Sequence, residues 1–155
     1  MTRRYPPPID PPAPPARIER ITDAAAVIEA GSLFDAPPRL DATDRFLADP
    51  THHLLLAYDG TRAVGMISGV ETTHPDKGSE MFLYELAVAE EARGRGIGRA
   101  LVSALAGLAR ERGCYGMWVL TDLDNEAAQR TYRAAGGTRE ADQALITWEF
   151  AAVGE

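Results

Sequence analysis

Apolar positions along the chain fall into short strand-like runs and longer helical stripes, and glycine or proline marks most of the boundaries. Strand-like runs lie at Arg17–Thr22, His53–Tyr58, Ala63–Val70, Met81–Val88, Tyr115–Thr121 and Ala144–Phe150. Asp59-Gly60 joins the second and third as a hairpin turn, and Thr72–Gly78 is a loop leading into the fourth. The first helix runs through Ala24–Ile28, with Thr22 or Asp23 as its cap, and stops near Gly31. After the Phe34–Pro38 loop a short helix is capped by Asp41 or Thr43, buries Phe46 and Leu47, and closes at Asp49-Pro50. In the longest helix Ile97, Leu101, Ala104, Leu105 and Leu108 share one face, and Gly113 stops it after Arg112. A last helix begins at Asn125, reaches Ala135 and ends at Gly136-Gly137. The order β-α-α-β-β-β-α-β-α-β predicts an α/β (α+β) domain: a mixed sheet with helices on both faces.

A chain of 155 residues with 45% hydrophobic content is long enough for one cored domain, over residues 16–155. Residues 1–15 hold seven of the eleven prolines and read as an extended or disordered tail. The sequence lacks a run of eighteen apolar residues and a signal-like N-terminus, so neither a membrane span nor secretion is expected. The single cysteine, Cys114, suits a reducing cytoplasm and a packing role. Net charge is −7, all of it carried by residues 1–91, while residues 92–155 balance. An acidic surface argues against a nucleic-acid partner and is compatible with a cationic one, although solubility alone accounts for it equally well. His52, His53 and His74 lack ligand spacing and read as loop or strand-end residues, with no metal site.

The fourth strand leads into Arg93-Gly94-Arg95-Gly96-Ile97-Gly98-Arg99 and then directly into the long helix. Strand, glycine turn and helix start form a geometry for phosphate, because glycines allow close backbone approach and the first helical N–H groups lack intrahelical partners. Arg93, Arg95 and Arg99 add positive charge. A P-loop would need Lys after Gly98, and a dinucleotide fingerprint would need Gly in place of Arg99. The R-x-x-G-x-G pattern of Arg93, Gly96 and Gly98 instead resembles the acetyl-coenzyme A pyrophosphate loop of the GNAT superfamily of N-acetyltransferases. A plain surface turn is the alternative.

A second pattern, Asn125-x-x-Ala128-x-x-x-Tyr132, places Asn125 and Tyr132 on one helix face with Ala128 leaving room between them. It resembles the GNAT motif in which asparagine contacts the pantetheine arm and tyrosine protonates the departing thiolate. The resemblance covers residues 17–150 and departs from the family at Gly137, where an aromatic residue is common. It implies acetyl-CoA as cosubstrate, a bulge near Leu86–Val88 with backbone groups of Leu86, Ala87 and Val88 toward the pantetheine, and Tyr132 as the acid at sulfur.

Acetyl transfer to an amine also needs a base. Glu85 lies in an otherwise apolar strand, where an ionised carboxylate is costly unless paired or facing a wet cleft, and a raised pKa would suit a base. A structural pair with an arginine is the competing role, and His74 is a weaker base candidate. Asp122 and Asp124 follow the next strand, where they either hold a substrate ammonium or cap the helix; Glu80 opens the central strand as a rim or cap residue. On a regular strand Tyr84 faces away from Glu85. Within the superfamily, Ser79–Val88 is similar to the aminoglycoside 3-N-acetyltransferases of type I, as are Asp122, Leu33-Phe34 and the acidic Asp35 nearby, with Glu85 where aspartate is usual. The resemblance implies acetylation of an aminoglycoside amine, antibiotic resistance, acceptor contacts from Tyr84 and from the carboxylates Asp35, Glu80, Glu85, Asp122 and Asp124, and, on analogy, a homodimer. Another small amine is the alternative acceptor; a non-catalytic coenzyme A sensor or a polyproline-presenting module is the reading from a different class.

Overall fold

The computed structural model describes residues 16–151. Five strands lie in the order β1-β2-β3-β4-β5: β1 Arg17–Arg20, β2 His52–Asp59, β3 Arg62–His74, β4 Gly78–Val88 and β5 Met117–Trp118. The first four pair antiparallel and β5 joins β4 in parallel, so the sheet is mixed. Helices α1 Ala24–Glu29 and α2 Leu40–Ala48, with a 3-10 turn at Gly31–Leu33 between them, cover one face. Helices α3 Ile97–Glu111 and α4 Glu126–Ala134 are associated with the other face.

Each face has its own apolar cluster. Val27, Ala30 and Leu33 meet Leu54, Leu56 and Met66 under α1 and α2. On the opposite side Ile97, Leu101 and Leu105 of α3 pack on Leu55, Ile67, Met81 and Leu83. Alternation along β2 and β3 assigns neighbouring residues to opposite clusters. Asp23 caps α1 by accepting the Ala26 N–H at 3.0 Å, and Asn125 caps α4 by accepting the Ala128 N–H at 3.1 Å.

Several elements differ from the sequence expectation. Helix α2 is preceded by Arg39, not by an oxygen-bearing cap: Asp41 lies in the first turn bonded to Arg39, and Thr43 is buried. The β3–β4 hairpin is longer than expected, so the loop contracts to residues 75–77, with Thr73 and Ser79 hydroxyls bonded across it at 2.7 Å. The expected strand over Tyr115–Thr121 pairs in register only at Met117 and Trp118, after a bond from the Tyr115 N–H to the Ser79 carbonyl at 2.9 Å. The expected strand over Ala144–Phe150 does not form, and Leu145, Ile146, Trp148 and Phe150 are 70–87% exposed. Period-two alternation gives a strand only where a neighbour offers a ladder, and β5 offers two residues. The proline-rich residues 1–15 lie outside the described residues.

His53 is 1% exposed and is an internal tie, not merely a strand-end residue. Arg20 of β1 donates to Nδ1 at 3.2 and 3.0 Å, which fixes the proton on Nε2, and Nε2–H donates to Glu71 of β3 at 2.7 Å. Arg112, beyond α3, donates to the same Glu71 oxygen at 2.9 Å. Burial holds the His53 pKa below 6.5, and the adjacent guanidiniums act in the same direction against Glu71. The unfolded chain therefore binds the proton more readily, so this stabilisation is complete above pH 6.5 and is lost as pH falls below it toward the folded-state value. His53→Gln preserves an acceptor for Arg20 and a donor for Glu71 but cannot titrate. Urea unfolding at pH 7.5 and pH 5 is expected to show wild type losing more stability on acidification than this variant; an equal loss in both would contradict the role.

Candidate active site

The site exists because β4 outlasts its neighbour. After Phe82 pairs with Trp118, the chain beyond β5 turns away, and Leu120 and Thr121 become the wall of a cleft of about 1100 Å³. Toward β3, Leu86, Ala87 and Val88 remain opposite Ile67, Met66 and Gly65. Toward the cleft this stretch of β4 has no strand beside it. The Ala89 N–H donates to Val64 on the β3 side at 2.8 Å, so strand alternation turns the polar groups of Val88 and Leu86 the other way, and Arg93 Nε donates to the Val88 carbonyl there at 3.2 Å.

The glycine loop follows. Gly94 and Gly96 adopt φ of 76° and 79°, which side chains with a Cβ rarely adopt. Gly96 is the left-handed N-cap of α3 and supplies no side-chain oxygen, so the first N–H groups of a fifteen-residue helix stay open at the cleft. A Cβ on Gly98 would lie 3.2 Å from the Thr131 methyl group, so this glycine sets how closely α3 approaches α4. Gly94, Gly96, Ile97, Gly98 and the arginines Arg93 and Arg99 all line the cleft. Arg95 does not; it donates to Asp59 at 3.1 Å at the end of the β2–β3 hairpin.

Helix α4 forms the opposite wall. Asn125, Ala128 and Tyr132 line it, joined by Ala127, Thr131 and Ala134. The last three were not singled out from the sequence, although their i, i+4, i+7 spacing marks a face of small side chains. Asn125 caps α4 through its carbonyl oxygen, so its amide N–H groups are not used by the cap, and the residue lines the cleft. Tyr132 packs against the α3 core, and burial raises its pKa above 10. Gly137 is the place where an aromatic residue is more usual; here a Cβ would lie 3.0 Å from the Tyr132 carbonyl, which accepts the Gly137 N–H at 2.9 Å.

Carboxylates gather farther down β4. Ser68 pairs with Glu85 and Gly69 with Leu83, so Tyr84 is an extra residue: the bulge falls at Tyr84 and not at Leu86–Val88. The bulge re-aims the strand, and Tyr84 and Glu85 line the same cleft instead of facing opposite ways. Asp35, from the loop after Leu33, and Asp122 line it too. Burial raises the Glu85 pKa above 4.5, and the negative charge of Asp35 adds to that shift. Glu85 takes part in no ion pair among the described residues, which removes the arginine-paired alternative there. Glu80 and Asp124 do not line the cleft; Glu80 sits opposite Thr72 on β3. His74 bonds Asp76 in the β3–β4 hairpin loop and is likewise outside. Among the described residues no group of three His, Cys, Asp or Glu is placed to hold a metal ion, and no helix is long and apolar enough to cross a membrane.

The arrangement matches known proteins. N-acetyltransferase 8 of Rattus norvegicus is 29% identical over 111 residues, covering 70% of this chain and 50% of that protein, so the chain spans about half the length of this curated relative. An aminoglycoside acetyltransferase from an uncultured soil metagenomic sample superposes with a TM-score of 0.73 at 26% identity, over 86% of this chain and 99% of that one. Aminoglycoside N-acetyltransferase AAC(6')-Iy, solved in complex with CoA, gives a TM-score of 0.73 at 18% identity, over 87% of this chain and all of that one. The family model for the acetyltransferase (GNAT) family matches residues 18–136, most of the described domain. The chain therefore belongs to the GNAT family of acetyltransferases, enzymes that take their acetyl group from acetyl-CoA.

Proposed function

We propose that the protein transfers the acetyl group of acetyl-CoA to a primary amine of an aminoglycoside. The observation that carries this reading is the charge division of one cleft: Arg93 and Arg99 lie with the glycine loop at the α3 N-terminus, and Glu85 and Asp35 lie together at β4, while Asp122 and, from α4, Arg130 also line it. Val88, whose carbonyl Arg93 holds, and Glu85 are three residues apart, or about 10 Å along β4. The donor's diphosphate fits the first part, and an amine with several ammonium groups fits the second.

The chain's groups divide the chemistry between them. The glycine loop and the α3 N–H groups hold the diphosphate, and the open edge of β4 at Leu86–Val88 pairs with the pantetheine amides. Holding both reactants in one cleft removes several kcal/mol of the barrier. Glu85, with its pKa raised by burial and then by Asp35, accepts the proton that the ammonium must lose before nitrogen attacks the thioester carbon. A backbone N–H on the open side of β4 stabilises the carbonyl oxygen as it gains charge. As the C–S bond breaks, the Tyr132 hydroxyl donates to the leaving sulfur. Its raised pKa keeps it protonated across the working range, and a thiolate with an ordinary pKa of about 8.5 is a weaker base than the phenolate. Tyr132 therefore stabilises the thiolate chiefly by its hydrogen bond. The nitrogen loses its second proton once the C–N bond has formed, and that proton neutralises the thiolate, so the products are an acetamide, free coenzyme A thiol and the one proton first taken by Glu85.

The resemblance of Ser79–Val88 points to the 3-N position, whereas the CoA-bound enzyme of similar fold is a 6'-N enzyme by its name. Product NMR on the acetylated drug separates the two positions. Thiol release from acetyl-CoA is expected with aminoglycosides and is to be compared with polyamines and amino-acid amides; a panel in which only the latter react would reassign the acceptor. Glu85→Gln is expected to lower kcat about 100- to 10,000-fold with CoA affinity unchanged. In wild type the acidic limb of kcat/KM lies above the ordinary carboxylate value of 4.5, because the base must be ionised, and the variant loses that limb. An unchanged limb would move the base role elsewhere. Tyr132→Phe is expected to cost about 100-fold in kcat with little change in acceptor KM; full activity would leave the hydroxyl without a part in the reaction.

A further inference from the structure

Outside the cleft the most unusual surface is aromatic. Phe82 stacks on Trp118 with ring centroids 4.2 Å apart and planes 20° from parallel, and meets Tyr84 edge-on at 5.7 Å and 86°. The three rings form a row from the β5 edge of the sheet to the bulge, and the row ends beside Glu85. Met81 and Leu83 turn inward against α3, so Phe82 is on the opposite face of the sheet. That face is covered by α1 and α2 over β2 and β3, but the cover reaches β4 only at Ala87. Tyr84 is consequently 68% exposed and Trp118 41% exposed. A contiguous row of rings left open to water is a recognition feature more often than scattered exposed apolar residues are.

The occupant is indicated by continuity and charge. Tyr84 belongs both to the row and to the lining of the cleft, so a molecule whose amine reaches Glu85 extends naturally over Tyr84 and Phe82. Glu85 and Asp35 carry negative charge without a cationic partner among the described residues. We propose that Tyr84, Phe82 and Trp118 form a track for the acceptor, which is therefore a polycationic amine with ring faces beyond the reacting nitrogen and not an acyclic polyamine. Sugar and cyclitol rings present C–H faces to the aromatic rings while their ammonium groups meet the carboxylates and the ring quadrupoles. The inference rests on the acetyl-transfer reading of the cleft and extends it from Tyr84, an acceptor contact already expected from the sequence, to Phe82 and Trp118.

The chain has two tryptophans, so Trp148→Phe leaves Trp118 as the single indole reporter. Its emission, titrated without acetyl-CoA, is expected to change saturably with kanamycin and not with spermidine. No change with kanamycin, or the same change with both, overturns the track. In steady-state assays Tyr84→Ala and Trp118→Ala are expected to raise the KM for kanamycin at least tenfold while the KM for acetyl-CoA stays within twofold; an unchanged acceptor KM also overturns it. The two readings fail separately: a Trp118 response without thiol release upholds the track and removes the transfer reaction to that acceptor, and thiol release without a Trp118 response does the reverse.

Discussion

The structure depends on a ladder that stops early. Buried backbone N–H and C=O groups must find partners, and a parallel strand beside β4 would supply them along its length. Here β5 and the two residues before it supply them only between Ser79 and Phe82, and the chain then departs. The rest of β4 is bonded on one side and open on the other, inside a cleft walled by α3 and α4. A sheet interrupted in this way is a poor edge for the protein and a ready one for an extended ligand with amides of its own. The pantetheine arm of coenzyme A is such a ligand, and in the proposed reading this local defect in pairing serves as the donor site.

The same strand concentrates the costs of function. The bulge at Tyr84 sacrifices one pairing with β3 and turns two side chains, Tyr84 and Glu85, into one space. Glu85 is placed where burial and Asp35 both oppose its ionisation, a poor arrangement for stability and a good one for a base. Stability comes from elsewhere: the two apolar clusters, and the Arg20–His53–Glu71–Arg112 tie, buried at His53 and at the Glu71 side chain, that joins β1, β2, β3 and the end of α3. None of those four residues lines the cleft, so the frame and the chemistry are separable by mutation.

What the sequence made legible was local. Arg93 to Gly98 and Asn125 to Tyr132 each lie within one turn or one helix, where spacing alone determines which groups share a face. Glu85 was visible as an acid within an apolar run. The features that escaped depend on distant segments. The proximity of Asp35 to Glu85 spans fifty positions and depends on how the loop after Leu33 packs. The bulge depends on the β3 register, and the brevity of β5 on where the following chain turns, so the strand lengths at Tyr115–Thr121 and Ala144–Phe150 were both overestimated. Arg95 looked equivalent to Arg93 and Arg99 in the motif, yet Asp59, thirty-six residues earlier, holds it. His53 showed no spacing partner because its partners come from two other strands.

The central claim is that the open N-terminus of α3 and the glycine loop grip a diphosphate while the free edge of β4 holds the arm attached to it. Calorimetric titration of the wild-type protein with coenzyme A and, separately, with pantetheine tests this directly, because the two share the arm and differ in the diphosphate and nucleotide. Charge-assisted hydrogen bonds worth about 1.5–3 kcal/mol each predict one-site binding of coenzyme A at least about 100-fold tighter than that of pantetheine. Equal affinities, or no heat with coenzyme A, would contradict the account.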